Sequence, residues 1–180
     1  MPERQELVGP FPSGADPDEY DRLRRRLLWQ LPMGLYLLGS AAGEEKNLMT
    51  LNWAMQVSTR PKQLAVSVEK SAVTHRLLEE GGCFSLSLIS REDRALVRKF
   101  VKPAAHDPER ATLNELAYET AVTGAPIPAI ATGAFDCEVR QSLDVGSHTL
   151  FVGEVVHASG EAEAAPPVLR MEDTRMSYGG

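Results

Sequence analysis

The chain has 180 residues, 43% of them apolar and 24% charged, which fits one globular domain burying roughly two thirds of its unfolded surface and excludes disordered, collagen-like and disulfide-scaffold classes. A net charge of −6 offers no global field to a polyanion, so no nucleic-acid partner is expected. The longest apolar runs, residues 35–38 and 127–131, fall far short of the ~20 residues that span a bilayer, and MPERQELVGP lacks the apolar stretch of a secretory signal; the expectation is no membrane contact and a cytoplasmic location.

Residues 1–15, with three prolines and two glycines, read as an extended N-terminal arm. Asp16 followed by Pro17 is a helix start, an N-cap side chain and then proline at the first helical position. The helix should run to about Gln30, with Leu23, Leu27 and Leu28 as its apolar stripe and Pro32 closing it. Arg22, Arg24, Arg25 and Arg26 read as a solvated face paired with Asp18, Glu19 and Asp21 a turn earlier.

From Met33 the period changes. MGLYLLGSA is a short strand, GEEKN a turn, and LMTLNWAMQVS the returning strand of a hairpin that ends at Pro61. QLAVSVE alternates with period 2 as a half-buried strand. KSAVTHRLLEEGG reads as a helix opening near Ser71 or Thr74 and stopping at Gly81 and Gly82 by the left-handed route. CFSLSLIS alternates again, and SREDRALVRKF is a serine-led helix with Leu96, Val97 and Phe100 on its apolar face. Residues 101–126 read as loop with a short helix at ATLNELAY. Two long apolar, β-branched runs joined by DVGSH then form a large hairpin, and a polar, proline-interrupted tail follows. Strands joined by tight turns close most easily as an antiparallel barrel, with the helices packed outside it.

The familiar dinucleotide, NTP, zincin and hydrolase fingerprints are absent. Four dispersed histidines and two unclustered cysteines, Cys83 and Cys137, predict no metal site and two buried reduced thiols. What stands out is a polar strand carrying Asn47, Thr50, Asn52 and Ser58, followed by SVEKS leading into a helix with Thr74 and His75. A strand end feeding a helix start offers backbone N–H groups, hydroxyls and the Lys70 charge to a phosphate. On the residues alone, the alternative is that these hydroxyls cap helices and fill a barrel wall.

This stretch resembles the flavin reductase-like family. Gly43, Asn47, Met49, Thr50 and Asn52 resemble its G-x-x-N-x-M-T-x-[SN] segment, and Pro61 its turn. Ser67 to Glu69 with Ser71, Thr74 and His75 resemble its v-S-V-x-x-x-s-x-T-h strand and helix, residues 82–89 its G-x-F strand, Lys99 and Phe100 its r-F, and GSHTLFVGEVV its G-D-H-x-i-f-v-G-e-V. The likeness covers about residues 20–160 and implies a mainly β fold with peripheral helices: an antiparallel, Greek-key-like split β-barrel. The organisation it suggests is an arm at 1–15, a flavin-binding domain at 16–165 and a C-terminal tail at 166–180.

The resemblance further implies a cytoplasmic oxidoreductase that transfers hydride from NADH or NADPH to FMN, alternatively FAD, and supplies reduced flavin to a monooxygenase component. The alternatives are an electron-transfer flavoprotein that keeps its FMN, flavoredoxin-like or ferric reductase-like, and a non-catalytic split-barrel binding protein. By resemblance the ring lies along Met49, Thr50, Leu51, Asn52 and Trp53, beside Asn47, and the ribityl and phosphate reach Ser67, Val68, Glu69, Ser71, Thr74 and His75, with Lys70 as charge partner and Lys99 and Phe100 nearby. His148 is the expected catalytic residue, facing the nicotinamide; Ser147 stands before it where the family often has aspartate. A homodimer is expected, on the resemblance and on the difficulty of burying Trp29, Met33, Trp53 and Phe151 in one small barrel.

Overall fold

A computed structural model describes residues 9–160 and 166–176. Residues 1–8 of the expected arm and residues 161–165 and 177–180 at the C-terminal end lie outside the described residues. Helix α1, Pro17–Leu28, starts as its sequence dictates: the Asp16 carboxylate accepts from the Glu19 N–H at 2.9 Å, with Pro17 just inside. Arg24 and Arg25, half-buried, both reach Asp21 at 2.7 and 3.0 Å, and Arg22 and Arg26 are exposed. The apolar stripe does not cover the barrel as expected, for α1 buries none of its residues.

The strands β1 Tyr36–Ala42, β2 Glu45–Leu51, β3 Ala54–Thr59, β4 Lys62–Glu69, β5 Cys83–Leu88, β10 Gly133–Asp144 and β11 His148–Gly160 form one antiparallel sheet in the order β2-β1-β5-β10-β11-β4-β3. The run expected as one returning strand is two. It breaks at Asn52 and Trp53, where the Ala54 N–H folds back on the Asn52 carbonyl at 3.2 Å, and its halves become opposite edges of the sheet. Seven strands at ~4.8 Å spacing would put those edges roughly 29 Å apart if flat, whereas two linking residues reach only about 11 Å, so the sheet must curl. The result is a barrel closed by the chain between β2 and β3 rather than by a ladder.

Leu38, Leu64, Val66, Val68, Phe84 and Phe151 fill the barrel. Of the four large residues expected to be difficult to bury together, Phe151 is 2% exposed and Trp29 49%. The second core packs on the outer face: Leu35, Leu37, Leu48, Ile89, Phe100 and Leu169. Thus β1 buries both faces, sending Leu38 inward and Leu37 outward, which is why its first half is apolar at consecutive positions rather than alternating. Leu169 shows that the polar, proline-interrupted tail also contributes to the core.

Helix α2, Val73–Gly81, ends with Gly82 at φ 64°. Residues 91–100 form two short 3-10 turns rather than one helix, Ser90 accepting from the Glu92 N–H at 3.2 Å. The helix expected at ATLNELAY is instead a hairpin: β6 His106–Asp107, β7 Thr112–Leu113, β8 Leu116–Thr120 and β9 Pro126–Pro128 make a small second sheet. Asn114 and Glu115 turn it at φ 48° and 65°, and Asn114 donates to the Lys99 carbonyl and accepts from the Ala105 N–H, an anchor that helical spacing hides. In the long hairpin, Asp144 accepts from the Gly146 N–H at 2.8 Å.

Cys83 and Cys137 are free and buried. Burial, aided by Asp136, pushes the Cys137 thiol up to about 12, which makes it unreactive at neutral pH. No helix among the described residues is long and apolar enough to cross a membrane.

Gly153 lies against the Phe84 ring, so that an added Cβ would collide with it. Gly153→Ala is expected to destabilise the fold by about 1–3 kcal/mol through overpacking, read as a lower urea midpoint at unchanged slope.

Candidate functional site

A cleft of about 480 Å³ opens between β2, the outer face of β4, the start of α2 and the chain after Phe100. β2 pairs with β1 alone among the described strands, so its outer backbone edge faces this space. Asn47, Met49, Thr50, Leu51 and Asn52 line it from that edge. Across from them, Ser67 and Glu69 point into the cleft while Val66 and Val68 point into the barrel, as period-2 alternation requires. Ser71 and Thr74 border the start of α2, and Phe100 closes the floor.

Asn47 organises this end. It is 4% exposed, its amide donates to the Thr74 hydroxyl at 2.8 Å, and its carbonyl accepts from the Ala104 N–H at 2.9 Å, joining β2, α2 and the chain after Phe100. Thr50 donates to the Val97 carbonyl. The amide of Asn52 lies 3.4 Å from the Met33 sulfur. Ala72 gives α2 no side-chain cap, and no acidic residue occupies the first turn, so the first-turn N–H groups favour an anion.

Several expected site residues lie elsewhere. Val68 is barrel core. His75 is tied down by Thr149, 2.7 Å from its Nε2, and by Glu79, 3.4 Å from its Nδ1, with its ring edge on Phe151; it fastens α2 to β11. Lys99 borders a separate surface basin with His106 and Arg110. Lys70 is paired with Asp144 at 2.7 Å, which holds that carboxyl below the usual carboxylate range together with the Gly146 N–H. Trp53 is outside the lining and packs its ring on His148.

Lys102 and, from the C-terminal segment, Met171 and Met176 complete the cleft unforeseen. Two signals pointed to them: a lysine two residues past the expected Lys99–Phe100 pair, and methionines in an otherwise polar tail. Glu69 and Lys102 are the ionisable side chains among the described lining residues. His148 sits opposite Glu69 in the β11–β4 register and so shares its face of the sheet. Burial holds its imidazole below the ordinary value, against the opposite pull of Glu69. Beyond Asn52, Met171 and Met176 lies a larger hollow of about 1080 Å³ bounded by Trp29, Met33 and Tyr36. Among the described residues, no group of three or more His, Cys, Asp or Glu could hold a metal ion.

The model of the flavin reductase like domain matches residues 28–179. The chain is 30% identical over 132 residues to a ferric-chelate reductase (NAD(P)H) of Archaeoglobus fulgidus, covering 72% of this chain and 77% of that one. Two other curated relatives are longer, and the chain spans 23% and 62% of their lengths. Among solved structures, the NADH:FAD oxidoreductase SgcE6 of Streptomyces globisporus C-1027 has a TM-score of 0.70 at 27% identity, over 86% of this chain and 90% of that one. The styrene monooxygenase flavin reductase of Pseudomonas putida S12 has a TM-score of 0.68 at 28% identity, over 82% and 91%.

Asn47→Ala leaves the buried Thr74 hydroxyl and the half-buried Ala104 N–H without their Asn47 partner. The expected cost is about 1–3 kcal/mol, the penalty of a buried polar group left unmet, measured by urea denaturation.

Proposed function

We propose that this chain, which belongs to the flavin reductase-like family, is an NAD(P)H-dependent flavin reductase whose flavin, FMN or alternatively FAD, occupies the 480 Å³ cleft. The observation that carries the reading is the presence in one cleft of an unpaired strand edge and an uncapped helix start. A planar ring with alternating donors and acceptors suits the first, and a phosphate suits the second. A flavin held there would supply the two-electron chemistry that takes a hydride from NADH or NADPH.

The chain's own residues bind and orient. The backbone of residues 49–52 meets the ring edge, and Asn52 is fixed behind it by Met33. Ser71, Thr74 and the first-turn N–H groups of α2 receive the phosphate. Asn47 already donates to the Thr74 oxygen, so a bound anion would meet that hydroxyl's proton. Lys102, rather than the paired Lys70, balances the charge. Met171 and Met176 shield the ring from water. His148, on the face of Glu69, donates a hydrogen bond to the incoming nicotinamide.

The reading includes a homodimer in the cytoplasm, where Cys83 and Cys137 stay reduced. Exposed Leu23, Leu27 and Leu28 on α1 and Met55 and Val57 on the edge strand β3 support self-association, and the hollow beside Trp29 offers a partner copy a seat. The styrene monooxygenase reductase among the related structures supports a monooxygenase as recipient of reduced flavin.

Steady-state NADH and NADPH oxidation should require added FMN or FAD; no oxidation with either flavin would overturn the reading. Changing Ser71 and Thr74 together to alanine should raise the flavin dissociation constant roughly ten- to hundredfold, from lost hydrogen bonds to a charged oxygen, as measured by fluorescence titration. Light scattering should give twice 19.7 kDa, and Leu23→Glu with Leu27→Glu should shift the mass to the monomer.

A further inference from the structure

Residues 94–105 carry Arg94, Arg98, Lys99 and Lys102 and no acid, in a chain of net charge −6. Lys102 lines the cleft, but Lys99 does not: it borders a second, open basin of about 850 Å³ beside the same stretch of chain. Among the described residues neither lysine forms an ion pair, whereas Arg110, which also borders the basin, meets Asp107 at 3.8 Å.

The basin adjoins the phosphate end of the cleft. Asn47 bonds the Thr74 hydroxyl at 2.8 Å and the Ala104 N–H at 2.9 Å, so the chain at Ala104 stands beside the hydroxyl assigned to a phosphate. Ala105 and His106 come next and already line the basin, and two residues of extended chain cover only about 7 Å. The walls of the basin are fixed. Asn114 donates to the Lys99 carbonyl and accepts from the Ala105 N–H, both at 2.8 Å, and the Tyr118 hydroxyl holds the His106 ring, 2.8 Å from its Nε2. Ala111 and Glu115, neither of them glycine, keep left-handed backbone at φ 50° and 65°, strain of the kind that collects at ligand sites.

The lining offers three kinds of chemistry. Lys99 and Arg110 suit a phosphate, the Glu115 carboxylate suits the hydroxyls of a ribose, and the His106 ring suits the face of a base. Asp107 is committed to its own turn, where it accepts from the Arg110 N–H at 3.1 Å. We propose that this basin holds the adenosine monophosphate arm of FAD, continuing from a first phosphate at the start of α2, so that FAD rather than FMN is the flavin this chain prefers. The inference deepens the flavin reading of the cleft and rests on it. FMN ends at the first phosphate and leaves Lys99 and Arg110 unmet.

The test compares the wild type with Arg110→Ala and Lys99→Ala/Arg110→Ala. Both side chains belong to exposed residues, and circular dichroism serves as the folding control. Fluorescence titration gives the dissociation constants for FMN and FAD, amide NMR locates each flavin on the wild type, and steady-state kinetics give KM for NADH and NADPH.

The wild type should bind FAD on the order of tenfold more tightly than FMN, and the double variant should bring FAD to the level of FMN by losing charge-assisted hydrogen bonds. Arg110→Ala should fall between them, with FMN affinity unchanged in both variants. Amide shifts at residues 105–110 should appear with FAD and be absent with FMN. Equal affinities for the two flavins in the wild type, a parallel loss of both in the double variant, or no FAD shifts at residues 105–110 would overturn the proposal while leaving a flavin in the cleft. Unchanged FAD affinity with a raised KM for NADH or NADPH would give the basin to the hydride donor and overturn it equally. Binding of neither flavin to the wild type would overturn the flavin reading and the proposal with it.

Discussion

Two residues set the architecture. Asn52 and Trp53 join strands that lie at opposite edges of a seven-stranded sheet, and a link that short obliges the edges to meet. The curl encloses the core of Phe84, Phe151 and the valines of β4. It also leaves the edge of β2 without a strand partner among the described residues, facing the outer side of β4. A barrel closed by hydrogen bonds would have no such edge. The opening is thus a product of the same constraint that closes the fold, and both linking residues are committed locally: Asn52 to Met33, Trp53 to His148 and Ser67.

What surrounds the opening is held rigidly. β1 is packed on both faces, and Leu169 pins the C-terminal segment that brings Met171 and Met176 to the cleft. Asn47 ties the polar strand to α2 and to the chain carrying Lys102. A site on such elements is preorganised, so little ordering cost attends the arrival of a ligand. Charge is divided just as clearly: Lys70 and Asp144 compensate each other at the hairpin turn, leaving Lys102 at the cleft.

Most strands were legible because their alternation reports directly on an inner and an outer face. The same rule, applied strictly, separates Val68 from Ser67 and Glu69, though the family likeness grouped all three. The break at Asn52 was not legible, since LMTLNWAMQVS carries no Gly or Pro to mark it and the turn is held by tertiary bonds. ATLNELAY has helical spacing, yet the Asn114 side chain anchors a hairpin instead. At the site, the polar strand and the α2 start could be read in order along the chain. Lys102, Met171 and Met176 reach it only by packing, and the partners of His75 lie on its own helix and on β11, away from the cleft.

A flavin seated between the edge of β2 and the uncapped start of α2 would perturb the amides of both elements on binding. Amide chemical-shift mapping of the 15N-labelled protein during titration with FMN tests it most directly. The account predicts that the largest shifts fall on residues 47–52, Ser67, residues 71–74 and Lys102. Shifts concentrated instead around His106 and Arg110, or along α1, would contradict it.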